Sequence, residues 1–208
     1  DAAGGRARVM ADTSSGVTSS ALRSGTTYRL TGVVGQRATR KGRLDGYRLW
    51  LRDPADIAQT GAPSPSASVD HSAAPGATLR PPATGVVAIA TALLGGPGAV
   101  TIEAVVTAGP TLLDGTGRRI VVQDATAAIE ILLPADAAAP AVGDRIRAGG
   151  SVGRAYGAPR LRAETVVIEG RGLTAPRGLA RAPGPADEWW LVRVSGTVGS
   201  VRRLGDRW

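Results

Sequence analysis

The chain has 208 residues, 43% hydrophobic and 20% charged, enough for one large domain or two small ones. It has no cysteine and no Phe, which excludes disulfides, thiolate metal sites and Cys nucleophiles and leaves Val, Ile, Leu and Ala to build any core. The net charge of +8 and a pI near 11.2 point toward polyanionic partners.

That charge is uneven. Residues 1–60 hold ten basic and five acidic side chains, residues 99–170 seven and eight, and residues 171–208 seven and three. Lys41 is the only lysine, and the Ala, Gly, Arg and Pro excess fits a GC-rich coding sequence as well as a binding role.

In chain order, residues 1–60 read as the C-terminal part of a first β unit. Within "SGTTYRLTGVVGQRATRKGRLDGYRLWLRDPADI" (Ser24–Ile57) a Gly turn leads into an alternating strand ending in Gly-x-Val-Gly. A basic loop and a second alternating strand follow. In that strand Tyr47, Leu49 and Leu51 share one face, and Arg48, Trp50 and Arg52 the other. Arg37, Arg40, Lys41, Arg43, Arg48 and Arg52 thus cluster with Tyr47 and Trp50 as a candidate nucleic-acid site. Two readings stand side by side. Trp50 flanked by arginines on an outward face stacks a base or meets phosphates. Alternatively, the Trp covers the flank of the unit and the arginines snorkel over it.

Residues 61–85, rich in Pro, Ser and Ala, read as a linker that cannot bury enough surface to order itself. Residues 86–170 read as one complete unit. "TGVVAIATALLGGPG" predicts a short helix stopped by Gly95–Gly96 that plugs a barrel end. Its apolar run, Val86–Leu94, is too short to cross a bilayer, so no membrane insertion is expected. Five strands follow. Val100, Ile102, Ala104 and Val106 alternate in the first, and "DGTGR" (Asp114–Arg118) is hairpin chemistry. "RIVVQD" and "AAIEILLP" come next, with Ile129, Ile131 and Leu133 inward and Glu130 outward. Pro134 and Pro140 leave too little room for more than about one helical turn before the fourth strand. Ile146, Ala148, Gly150 and Val152 alternate there, with Gly149–Gly150 marking sharp coiling. The fifth strand alternates through Leu161, Ala163, Thr165 and Val167.

Residues 171–187 read as a second, basic linker, and residues 188–208 as the first strands of a third unit. "VGDRIRAGGSVGRAYGAPRLRAETVVIEG" (Val142–Gly170) repeats the pattern of Ser24–Ile57, and "WLVRVSGTVGS" (Trp190–Ser200) repeats "AVTIEAVVTAG" (Ala99–Gly109). The flanks therefore read as the tail of one unit and the head of another, as if cut from a longer tandem array. Five strands in about 70 residues, with a gap between the third and fourth, predict an all-β, tandem OB-fold chain. One complete five-stranded Greek-key barrel is then flanked by partial units.

The stretch "VTIEAVVTAGPTLLDGTGRRIVVQDATAAIEILLP" resembles the OB-fold domains of secreted bacterial nucleases and of bacterial surface proteins that carry lamin-tail domains. Those domains share a hairpin of the form (I/V)QD-x-(T/S)-G-G-I, matched here by Val122, Gln123, Asp124, Ala125, Thr126, Ala127, Ala128 and Ile129. Ala127 and Ala128 replace the family's glycines, and Ala104 stands where Gly is common, which points to a drifted or purely structural copy. The resemblance implies an extracellular or cell-surface setting and an architecture rather than an activity.

OB-folds hold single strands with stacked aromatics over a cationic groove on their second and third strands. Here those strands offer Arg118, Arg119 and Gln123 without an aromatic, and Tyr156 and Arg160 are the nearest additions. The competing reading has Gln123 and Asp124 satisfying hairpin backbone and the arginines solvating an edge, and it is favoured for this unit. Of Trp189 and Trp190, at most one faces outward. Catalysis has no constellation to use. The single His71 lies in the linker, carboxylates lack ligand spacing, and "GGPG" and "GTGR" lack the Lys of a phosphate loop. No catalytic residue, metal or cofactor is expected. The expected role is a non-catalytic binding module for single-stranded nucleic acid or another polyanion, or else a spacer or interaction array supporting other domains.

Overall fold

The computed structural model describes residues 5–38, 44–60, 85–96, 98–113, 115–155 and 157–202. The strands are β1 (Arg8–Ala11), β2 (Thr27–Ala38), β3 (Leu44–Leu51), β4 (Ile57–Gln59), β5 (Ala99–Ala108), β6 (Arg119–Gln123), β7 (Ala128–Leu132), β8 (Asp144–Ala155), β9 (Ala158–Arg171), β10 (Arg177–Leu179) and β11 (Leu191–Thr197). A short helix, α1 (Ile89–Leu94), precedes β5.

Strands β5 to β9 close a barrel in the order β5-β6-β7-β9-β8. All pairs are antiparallel except β7 with β9, whose register sets Ile131 beside Leu161. Alternation drives the closure: Ile102, Ile120, Val122, Ile129, Ile146 and Leu161 point into an apolar interior. Ile89 and Ala92 of α1 join that core, and burying an Ile side chain contributes about 1.5–3 kcal/mol. The helix is held by the β6–β7 turn, because Asp124 Oδ2 accepts the Ile89 N–H at 2.7 Å and Thr126 Oγ1 accepts that of Ala90 at 3.1 Å. Asp124 Oδ1 accepts the N–H groups of Thr126 and Ala127, closing the turn itself. Gln123 and Asp124 were expected to act together on hairpin backbone, and only Asp124 does so.

One strand departs from the alternation. Thr165 and Val167, expected inward, are exposed, and Val166 packs on the core instead. The register jumps between Gly149 opposite Thr165 and Gly150 opposite Ala163. The extra residue on β9 is a bulge that flips the following side chains to the other face, up to a second register jump between Ile168 and Gly170. Gly150 allows it, since a Cβ there would lie 2.1 Å from the Arg162 carbonyl oxygen.

The remaining strands form one six-stranded sheet, β1-β3-β2-β11-β10 with β4 also on β2. The flanking segments 1–60 and 188–208, expected as parts of separate units, meet in this sheet through the antiparallel pair β2·β11. Residues 171–187, expected as a linker, carry β10 and a 3-10 turn at Pro185–Asp187, and Asp187 is fully buried. Local composition reads those residues as loop, whereas pairing of β10 with β11 and an Arg181–Asp187 ion pair order them. The linker expected at 61–85 lies outside the described residues except for Gly85. No helix among the described residues is long and apolar enough to cross a membrane.

Candidate functional site

Two of the sequence's candidate residues, Arg119 and Gln123, lie on the outer face of β6 and β7. Alternation turns Arg119, Val121 and Gln123 outward from β6, and Ala128 and Glu130 outward from β7. That face is not open to solvent. Val121 is 0% exposed, Gln123 4% and Glu130 1%. The six-stranded sheet lies over it, and Met10, Val33, Trp50, Trp189 and Leu191 form one apolar cluster with Ala108, Leu112, Val121, Ala128 and Ala158 of the barrel.

Hydrogen bonds lock the two bodies together. Gln123 Oε1 accepts the Leu191 N–H at 3.0 Å, and Trp189 Nε1 donates to the Pro159 carbonyl at 3.2 Å. Arg52 donates to the Thr107 carbonyl at 3.2 Å and pairs with Asp56 through two further bonds. Trp189 sits at φ 65°, a left-handed conformation that costs roughly 1–2 kcal/mol for an L-residue. It is held there by donating its backbone N–H to the Val34 carbonyl at 2.7 Å. Gly35 makes room for the two indoles, because a Cβ there would lie 3.1 Å from Trp189 and 3.3 Å from Trp50 Nε1.

Glu130 is the charged centre of this interface. It takes Arg119 on one side and Arg160, at 2.8 Å, on the other, so two arginines compensate one carboxylate withdrawn from water. Glu188 lies close by in the electrostatic sense. Burial pushes its carboxyl up, Arg154 opposes that, and the Glu130 charge adds to the rise.

These positions show where the candidate binding residues lie. Trp50 and Arg48, each 4% exposed, face the barrel rather than solvent, so neither is presented to a base on the surface. The other face of β3 is buried as well, Leu49 and Leu51 lying in the sheet's own core. A strand between two bodies buries both faces, and alternation alone cannot tell that from one open face. Arg52 is committed to Asp56 and Thr107, Arg118 donates twice to the Leu133 carbonyl, and Arg119 and Arg160 neutralise Glu130. Gln123 holds a backbone N–H of β11. Of the tryptophan pair, Trp189 is buried, while Trp190 is half-buried under the Arg177 guanidinium, 4.3 Å from its ring centre. Arg40, Lys41, Arg43 and Tyr156 lie outside the described residues, as does the side chain of Arg37.

One feature escaped sequence reasoning. Beside the part of the sheet face that packs on the barrel, the register sets Arg193 opposite Thr31 and Ser195 opposite Arg29, giving an exposed patch of two arginines among hydroxyl residues. The alternation of Arg29 against Tyr28 and Leu30 was its only signal. Among the described residues no group of three or more His, Cys, Asp or Glu side chains is placed to hold a metal ion.

Fold and site together define an all-β protein, a closed five-stranded barrel whose second and third strands are covered by a sheet built from both ends of the chain. No protein-family model matches the chain, and neither a curated protein nor a solved structure shows detectable similarity to it.

Proposed function

We propose that this chain is a non-catalytic β module of OB-fold type that acts as a spacer or protein-interaction unit of a secreted or surface protein. The order of the closed ring and the parallel pairing of its third and fifth strands support the OB-fold assignment. The matching Gly-x-Val-Gly strands β2 and β8 support a tandem origin. The extracellular setting rests on the sequence resemblance alone.

A single observation carries the mechanical reading. The face on which OB-folds hold single strands is sealed by the protein's own sheet, with Val121, Gln123 and Glu130 nearly inaccessible. A ligand there has to displace an apolar interface that includes two buried tryptophans. A second reading, salt-sensitive polyanion binding, is favoured by Arg29 and Arg193, exposed on β2 and β11 beside the part of the sheet face that packs on the barrel.

Fluorescence anisotropy with labelled single-stranded DNA at low and moderate salt separates the two. A spacer gives no saturable binding even at low salt. The second reading gives binding that fades with salt and weakens in Arg29→Ala/Arg193→Ala while Gln123→Ala leaves it intact. Binding that is salt-resistant and disappears in Trp50→Ala, with the variant still folded, would overturn both.

A further inference from the structure

Strand β9 is paired by β8 along its whole length on one side, but on the other β7 covers only Arg160–Arg162. Among the described residues, no strand and no hydrogen bond reaches that second edge from Glu164 to Gly170. The start of β5, which β6 likewise leaves uncovered, is treated differently. There the chain closes the edge itself: Val86 bridges Thr101, and the Val87 N–H donates to the Thr101 carbonyl at 2.8 Å.

The uncovered run on β9 holds four consecutive β-branched residues, Thr165, Val166, Val167 and Ile168, which favour extended backbone. Val167 is 57% exposed and Ile168 50%. Ile168 lies opposite Ile146, a core residue 1% exposed, and so shares its face. It stays open to water because no strand lies beside it. The ladder shifts register just before Thr165 and again just after Ile168, so Thr165–Ile168 is the regular part of this edge.

An open apolar edge is a template for another strand. Two antiparallel copies of one edge, related by a two-fold axis normal to the sheet, set one residue opposite its own twin. Centring on Val167 sets Val166 against Ile168 twice and Thr165 against Glu169 twice. Glu164 then faces Gly170, with Arg171 one place further on beside it. Apolar meets apolar, and no carboxylate opposes another. Centring on Val166 sets Glu164 against Ile168, and centring on Ile168 sets Glu169 against Val167. One register is therefore self-complementary, and it belongs to this edge alone.

We propose that the free edge of β9 pairs with the same edge of a second copy of this chain, antiparallel about Val167, in a closed two-fold dimer. Main-chain bonds join the copies, and Val166 of each covers the apolar side chain that its twin's barrel leaves open. The proposal rests on the β8–β9 ladder and not on the spacer reading above, so DNA titration does not bear on it.

The 208-residue chain has no cysteine, so a single introduced thiol reports the register. Opposite residues have Cα atoms about 4.5–5.5 Å apart, within disulfide reach. Val167→Cys should oxidise to a covalent dimer on a non-reducing gel. Thr165→Cys, offset from its twin by about 13 Å along the strand, should not. Sedimentation velocity of the unaltered chain over a concentration series should show reversible dimerisation in the micromolar range. Val167→Lys replaces an exposed side chain and should leave the melting temperature of dilute protein unchanged. It should weaken dimerisation about tenfold or more, because it sets two ammonium groups face to face. The cysteine pair decides the matter even where Val167→Lys disturbs folding. A chain that stays monomeric at millimolar concentration overturns the proposal. So do dimers indifferent to Val167→Lys, equal cross-linking at the two cysteine positions, and growth beyond the dimer, which a closed two-fold pairing forbids.

Discussion

Trp50→Ala separates a structural role from a ligand-binding one. The indole is 4% exposed, packed among Met10, Val33 and Trp189, and seated close to the Gly35 backbone. Truncating a buried aromatic removes its transfer energy and leaves a cavity that relaxes only in part, costing about 3–5 kcal/mol. For a chain of this size each kcal/mol shifts the melting temperature by roughly 2–4 °C, so the expected fall is about 6–20 °C. Circular dichroism melts measure it, guanidinium unfolding supplies the free energy, and Trp50→Phe should recover much of the loss. A fall below roughly 2 °C, within the range of ordinary surface changes, would mean that the sheet does not cover β6 and β7 and would refute the interface.

Gln123→Ala leaves the Leu191 N–H without its acceptor inside the interface. Urea unfolding should show a loss of about 1–3 kcal/mol. The Glu130 cluster should behave asymmetrically. Arg119→Ala/Arg160→Ala strands a buried carboxylate and should cost about 3–5 kcal/mol, whereas replacing the whole set, Arg119→Met/Glu130→Leu/Arg160→Met, should be close to neutral, as equilibrium unfolding of the two variants will show. Burial tends to raise the Asp187 carboxyl, yet hydrogen bonds from Arg181 and the Gly184 N–H outweigh it and hold the group below its ordinary value of 3.8. A lowered folded value means that this stabilisation is present above about pH 4 and is lost as pH falls through the folded value. Asp187→Asn should therefore flatten the acid limb of a melting-temperature profile, and an unchanged limb would show that the pair contributes nothing.

Strand positions were legible because a barrel wall writes its two faces into the sequence. Ile129, Ile131 and Leu133 alternate with Glu130, and Ile102, Ala104 and Val106 with Glu103, so the inward set could be named directly. Gly32 and Gly150 each sit against a carbonyl too close for any side chain. The bulge on β9 was hidden, because one extra residue changes the phase without changing the composition.

Burial of the outward face was beyond local sequence altogether. Trp50 between two arginines reads equally as a stacking platform and as a buried wedge, and only the sheet that covers β6 and β7 decides between them. That sheet joins β2 to β11 across more than 150 residues, and no window along the chain contains both. By itself, the sequence determined which side chains face into the barrel up to the bulge on β9, because alternation is a local property of the backbone. Tertiary structure alone decided what the outer faces touch, because that depends on which distant strands share hydrogen bonds.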